Sequence, residues 1–104
     1  MDLLNSRQRA FLRTLSNRMD DTVQIGKGGF SDNNAADIDR QLKVRELVKI
    51  HVLKTLEGDL RAIVAQIAET CEASVVQVVG RKVVLYRYSA QLAQEGKAIL
   101  LRGV

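Results

Sequence analysis

The sequence predicts a compact α/β domain with the element order α-β-α-β-α-β-β and a mixed four-stranded sheet. Three observations carry this. Short runs rich in Val, Ile and Leu alternate with longer stretches whose apolar residues recur at helical spacing. Strand–helix–strand crossovers favour parallel pairing. Gly80-Arg81, between the last two apolar runs, makes a tight turn that forces those two strands to pair antiparallel.

The first helix starts at Arg7 with Ser6 as its cap and ends near Met19. Leu4, Phe11, Leu15 and Met19 form its apolar stripe, widened by Leu12, which sets Arg9 and Arg13 on the opposite side. Thr22 to Ile25 alternates as a short strand, and Gly26-Lys27-Gly28-Gly29 breaks it. Ser31 or Asp32 caps a second helix running to about Leu42, with Ala35, Ile38 and Leu42 on its apolar face. Glu46 to Leu53 reads as the second strand, with Lys49 and His51 on one face and Ile50 and Val52 on the other. Gly58-Asp59 opens a third helix whose inner side is Leu60, Ile63, Val64, Ile67, Ala68 and Cys71. Ser74 to Val79 and Lys82 to Arg87 are the hairpin strands. Residues 1–88 thus make one domain. Residues 89–104 are a C-terminal extension, open between a docking helix and a loose tail.

An apolar fraction of 46% and a charged fraction of 27% exclude a wholly disordered chain. The net charge of +4 is a modest bias, but its distribution is uneven. Arg7, Arg9, Arg13 and Arg18 face only Asp2 in the first 19 residues, and Arg81, Lys82 and Arg87 cluster without an acid. Such patches suit an anionic partner. A single cysteine excludes an intrachain disulfide, and a single histidine far from it excludes a metal cluster or a Cys-His catalytic pair. No signal peptide and no apolar run of membrane-spanning length is evident, so a cytoplasmic protein is expected.

The glycine loop follows a strand and precedes a helix, where unpaired N–H groups and the helix dipole favour an anion. It lacks the Gly-Lys-Ser/Thr of a nucleotide P-loop and the third glycine of a dinucleotide fingerprint. It fits G-x-x-G, with which small RNA-binding modules clamp a nucleic-acid backbone, and equally a plain strand-to-helix turn. The first-helix arginines, Lys49, Arg81 and Lys82 are either phosphate contacts or a solvated surface. With two Phe and two Tyr, no aromatic stacking sheet is available, so any nucleic-acid recognition runs through backbone and shape.

Val23 to Ser31, Glu46 to Ile50, Val76 to Gly80 and Val84 to Arg87, in that order, resemble the CRM domain (chloroplast RNA splicing and ribosome maturation) in its stand-alone bacterial YhbY-like form. The resemblance covers roughly residues 3–88. Three positions depart from the usual pattern: Asp20-Asp21-Thr22 where a proline is common, Phe30-Ser31 in place of Leu-Thr, and Asn34 where an apolar residue is common. The resemblance implies a fold similar to the C-terminal domain of a bacterial translation initiation factor. It also implies a non-enzymatic RNA-binding protein without cofactor, metal, membrane or small-molecule substrate. Its expected partner is large-subunit ribosomal RNA or its precursor particle. The expected RNA-binding residues are Gly26, Lys27, Gly28, Gly29, Arg9, Arg13, Lys49, Arg81 and Lys82. The alternative is a protein–protein adaptor whose basic faces dock an acidic partner.

Overall fold

Helix α1 spans Ser6–Ser16 in the computed structural model, which describes residues 4–101. Its cap is Asn5, one residue earlier than the expected Ser6. The Asn5 side chain accepts from the Gln8 amide at 2.8 Å, and the Gln8 side chain accepts from the Asn5 amide at 3.1 Å. This reciprocal box pairs two N–H groups that the helix start would leave bare. The helix also ends before Met19, and its buried side differs from the expected stripe. Leu12 and Ser16 are fully buried, whereas Leu15, expected in the apolar stripe, is 38% exposed. Ser16 tolerates burial because its hydroxyl donates to the Arg13 carbonyl at 3.0 Å.

The strands are β1 (Val23–Ile25), β2 (Leu47–Val52), β3 (Ser74–Val79) and β4 (Lys82–Tyr86), in spatial order β1-β2-β4-β3. β1 and β2 pair parallel across the crossover helix α2 (Asp32–Arg45), as expected. β2 and β3, joined through α3 (Leu60–Thr70), run parallel but are not neighbours, because β4 inserts antiparallel between them. The β3–β4 register slips between Val75 and Gln77, a bulge in the edge strand.

The period-two alternation of the strands sorts the side chains into two cores. Val23, Ile25, Val48, Ile50, Val52, Val83 and Leu85 meet Ile38, Leu42, Val64 and Ile67 of α2 and α3 on one face. Leu47, Val76, Val84 and Tyr86 meet Leu4 and Leu12 on the other, under α1. Cutting a fully buried Leu or Ile of either core to Ala costs about 2–5 kcal/mol. Cys71 belongs to the first core, and burial pushes its thiol above the usual range.

Glu46, expected at the head of β2, is instead the left-handed C-cap of α2, with φ 65°. Its carboxylate is fully buried and accepts from the Ser89 and Ile99 amides, both at 2.6 Å. Residues 89–101 are therefore docked: Ser89 caps a short helix α4 (Ala90–Gln94), and Ile99 and Leu101 pack on the α1-side core. Arg87, expected in β4, lies beyond the strand. Its guanidinium donates to the Cys71 and Asp39 carbonyls and pairs with the Asp39 carboxylate at 2.9 Å, tying α2 to the end of α3. Of the two tyrosines, Tyr86 is buried and Tyr88 exposed.

Candidate nucleic-acid interface

The loop after β1 is a closed β-turn, in which the Gly29 amide donates to the Gly26 carbonyl at 2.8 Å. Its three glycines serve different ends. A Cβ on Gly26 would come within 3.3 Å of Leu53 Cδ1, so this glycine permits the loop to pack on the segment after β2. Gly29 sits at φ +81°, a conformation that L side chains rarely adopt. Gly28 has nothing within 4 Å of where its Cβ would stand. Lys27 and Gly28, at the tip, are exposed.

Ser31 is the cap of α2, with Asp32 in its first turn. The Ser31 hydroxyl accepts from the Asn34 amide at 3.1 Å, and the Asn34 side chain accepts from the Ser31 amide at 3.1 Å. Asn34 thus stands in place of an apolar residue because it closes a capping box. Two N–H groups that an anion would use at this helix start are already paired.

Arg81 lies behind the loop. Its expected exposure as a hairpin-turn residue is not what the structure shows: it is half-buried, with three donations to main-chain carbonyls. These run to Val52 at 2.8 Å, Leu53 at 3.0 Å and Leu56 at 3.2 Å. Leu53 and Leu56 are the residues nearest Gly26 and Gly29, so Arg81 braces the surface on which the glycine loop rests.

Beyond the edge of α1, the second face of the sheet is polar. Gln24, His51 and Lys82 lie side by side across β1, β2 and β4. Lys49, two residues before His51, donates to the Met19 carbonyl at 3.0 Å. Lys82 pairs with Asp21 at 3.1 Å, and His51 Nδ1 stands 3.8 Å from the other oxygen of the same carboxylate. The hydrogen bond from Lys82 holds the Asp21 carboxyl below the usual carboxylate range, helped by its own backbone amide and opposed by partial desolvation.

Arg9 does not point away from the sheet as the apolar stripe suggested. With the buried side set by Leu12 and Ser16, it is half-buried, and its Nε reaches to 3.4 Å from the Val75 carbonyl. β3 is the edge opposite β1, three strand spacings or about 14 Å across the sheet from the glycine loop. Arg13 is exposed on the same helix. The nine expected residues therefore fall into three places: the loop with its brace, the polar sheet face, and the α1 side.

Sequence reading missed the neutralising position of Asp21, whose only local signal is its departure from the family pattern. It also passed over Lys54, which needs the strand register to be noticed. Among the described residues, no group of three or more His, Cys, Asp and Glu could hold a metal ion, and no helix is long and apolar enough to cross a membrane.

Residues 4–87 match the CRS1 / YhbY (CRM) domain family. The chain belongs to that family. This CRM domain is 33% identical over 92 residues to the "Probable RNA-binding protein YqeI" of Bacillus subtilis, covering 88% of this chain and 96% of the relative. It is 30% identical over 91 residues to an "RNA-binding protein" of Haemophilus influenzae, covering 88% and 92% of the two chains. The solution structure of the Staphylococcus aureus protein SAV1595 superposes on it with a TM-score of 0.72 at 38% identity, over 84% of this chain and 91% of that one. Both relatives are named for RNA binding and not for an enzymatic activity.

Proposed function

We propose that this CRM domain binds RNA through the phosphate backbone and serves in assembly of the large ribosomal subunit, in the cytoplasm. One observation carries the reading: at the tip of the glycine loop, Gly28 has open space around it and Lys27 is exposed beside it. The fold makes no steric demand for glycine at position 28, and an approaching phosphate backbone supplies one. Relatives named as RNA-binding proteins in two bacteria favour RNA over other polyanions. The assembly step rests on the family resemblance. Lys49, Lys82, Arg9 and Arg13 extend the contact to the sheet face and α1, giving a broad surface suited to structured RNA rather than to base reading.

The test is ultraviolet crosslinking in cells followed by sequencing of the bound RNA, with the parent chain and Lys27→Asp/Gly28→Asp side by side. The double change takes the loop from +1 to −2 in formal charge. Acids close to a helix start are compatible with its dipole, so the fold should hold. Large-subunit precursor fragments should be enriched with the parent. Affinity for them should fall at least ~10-fold in the variant, about 1.4 kcal/mol. A folded variant that binds RNA as the parent does at low salt would remove the loop from the interface. Crosslinks confined to other RNAs would remove the ribosomal assignment.

A further inference from the structure

The parallel register of β1 on β2 carries past the ends of both strands. Val23 faces Ile50 and Ile25 faces Val52. The same offset continues outward, since the Leu53 amide donates to the Ile25 carbonyl at 2.8 Å and Leu53 packs against Gly26. Each strand then enters a turn of the same construction. The Gly29 amide closes Gly26-Lys27-Gly28-Gly29 on the Gly26 carbonyl at 2.8 Å, and the Leu56 amide closes Leu53-Lys54-Thr55-Leu56 on the Leu53 carbonyl at 3.0 Å. Lysine is second in both turns, so Lys27 and Lys54 hold the same place in two turns that leave neighbouring strands.

Lys27, Gly28, Lys54 and Thr55 are all exposed. Among the described residues, neither lysine is held in an ion pair. An anion set between the two turns could be met by both ammonium groups. The second turn is also braced by a side chain from the hairpin. Arg81 takes up the carbonyls of Val52, Leu53 and Leu56, which fixes the turn and occupies acceptors that would otherwise repel a phosphate.

We propose that the two turns form a single site, a twin-turn clamp in which Lys27 and Lys54 hold neighbouring phosphates of one RNA strand. Thr55 lies at the seam, its Oγ1 3.6 Å from the Cβ position of Gly26, and supplies a hydroxyl donor between them. The clamp rests on the RNA-binding reading above and adds the second turn to it. Arg81 acts as a positioning residue for that turn.

Fluorescence anisotropy with a short labelled RNA hairpin, titrated over a salt series, tests the clamp. The chains compared are the parent, Lys27→Gln, Lys54→Gln, the double Gln variant, Lys54→Arg and Lys27→Asp/Gly28→Asp. Each single Gln change should lower the slope of log affinity against log salt by ~0.7–0.9 and weaken binding about threefold. The double variant should lose both increments, and Lys54→Arg should bind as the parent. All should melt with the parent, since both lysines are exposed. Lys54→Gln with unchanged slope and affinity overturns the clamp, and so does an early-melting Lys54→Gln, which would give Lys54 a structural role. If Lys27→Asp/Gly28→Asp also binds as the parent, the RNA reading of the loop falls with it. If that variant alone loses binding, only the second turn is discarded.

Discussion

The Asp21 carboxylate stands 3.1 Å from the Lys82 ammonium, across the open end of the polar sheet face. This contact joins the segment before β1 to the start of β4 and satisfies one of the lysines that the sequence offers to an anion. Lys82 is half exposed and Asp21 largely covered, so the carboxylate is held in place while the lysine can turn outward. Under the proposed RNA-binding mode, a phosphate reaching Lys82 has to compete with the Asp21 carboxylate.

Asp21→Asn should therefore strengthen RNA binding. The change removes a negative charge from the face and releases Lys82 and His51 from it. Affinity should rise about threefold, and the salt slope should steepen by up to ~0.9 as Lys82 gains a phosphate. Anisotropy titration at two salt concentrations reads both quantities. Unchanged affinity with an unchanged slope would place the polar face outside the RNA footprint.

Acid should weaken the fold through Asp21 and Asp39. Desolvation raises the Asp39 carboxyl, but hydrogen bonds from Lys43 and Arg87 outweigh it, and the net direction is downward, as for Asp21. A carboxyl lowered in the folded state contributes stability above its unfolded pKa, about 3.9, and loses it as pH falls through the folded value. Melting temperature should thus be nearly level down to about pH 5 and fall below about pH 4. The Asp21→Asn/Asp39→Asn variant should start lower at neutral pH and show a shallower acid limb. An acid limb as steep as the parent's would assign the loss to other carboxylates.

Arg81→Lys keeps the charge and discards the fork. A lysine cannot serve the three carbonyls of Val52, Leu53 and Leu56 in that geometry, and leaving them short of donors should cost about 1–3 kcal/mol. The Leu56 amide should exchange faster, since the turn it closes loses its brace. Parent-like melting and Leu56 protection, with weakened RNA binding, would instead make Arg81 a direct phosphate contact.

Glu46→Ala should release the C-terminal segment. The Ser89 and Ile99 amides lose the carboxylate that accepts from them, at about 1–3 kcal/mol for the buried Ser89 amide and less for the part-buried Ile99 amide. Hydrogen exchange at Ser89 and Ile99 should accelerate well ahead of exchange at Ile50 or Leu85 in the central strands. Uniform acceleration would mean that Glu46 supports the whole fold and not this segment in particular.

The element order was legible because each element carries its own pattern: short apolar runs bounded by Gly80-Arg81 in Val75 to Val79 and Val83 to Tyr86, and helical spacing in Leu60 to Cys71. What escaped the sequence depends on partners far along the chain. β4 inserts between β2 and β3 because its cross-strand partners match, and no local pattern announces that. Arg81 looked like an exposed turn residue because the carbonyls it serves lie 25 to 29 residues earlier. Glu46 looked like a strand start because its partners lie 43 and 53 residues later. The face that α1 buries was hidden because Ser16, a polar residue, lies fully buried with its hydroxyl paired to the Arg13 carbonyl. At the candidate site, the glycine loop was visible as a motif, but the division of labour among its glycines needed coordinates.

That division yields the sharpest contrast. Gly29→Ala places a Cβ at φ +81° and should cost about 1–2 kcal/mol. Gly26→Ala presses a methyl to 3.3 Å from Leu53 Cδ1, a side-chain end that can yield a few tenths of an ångström, so its loss should be about 1 kcal/mol. Gly28→Ala meets nothing within 4 Å and lies outside the left-handed region, so stability should hold or rise slightly through the less flexible unfolded chain. RNA binding should follow a different order. Gly26→Ala and Gly29→Ala, measured where each is fully folded, should keep most of their affinity, because the tip of the loop is unaltered. Gly28→Ala, the most stable of the three, should bind worst, because its methyl stands where the RNA backbone approaches. Melting curves and anisotropy on the same three proteins check both orders. A Gly28→Ala protein that is fully stable and binds RNA as the parent does would show that the tip of the loop faces solvent in the complex.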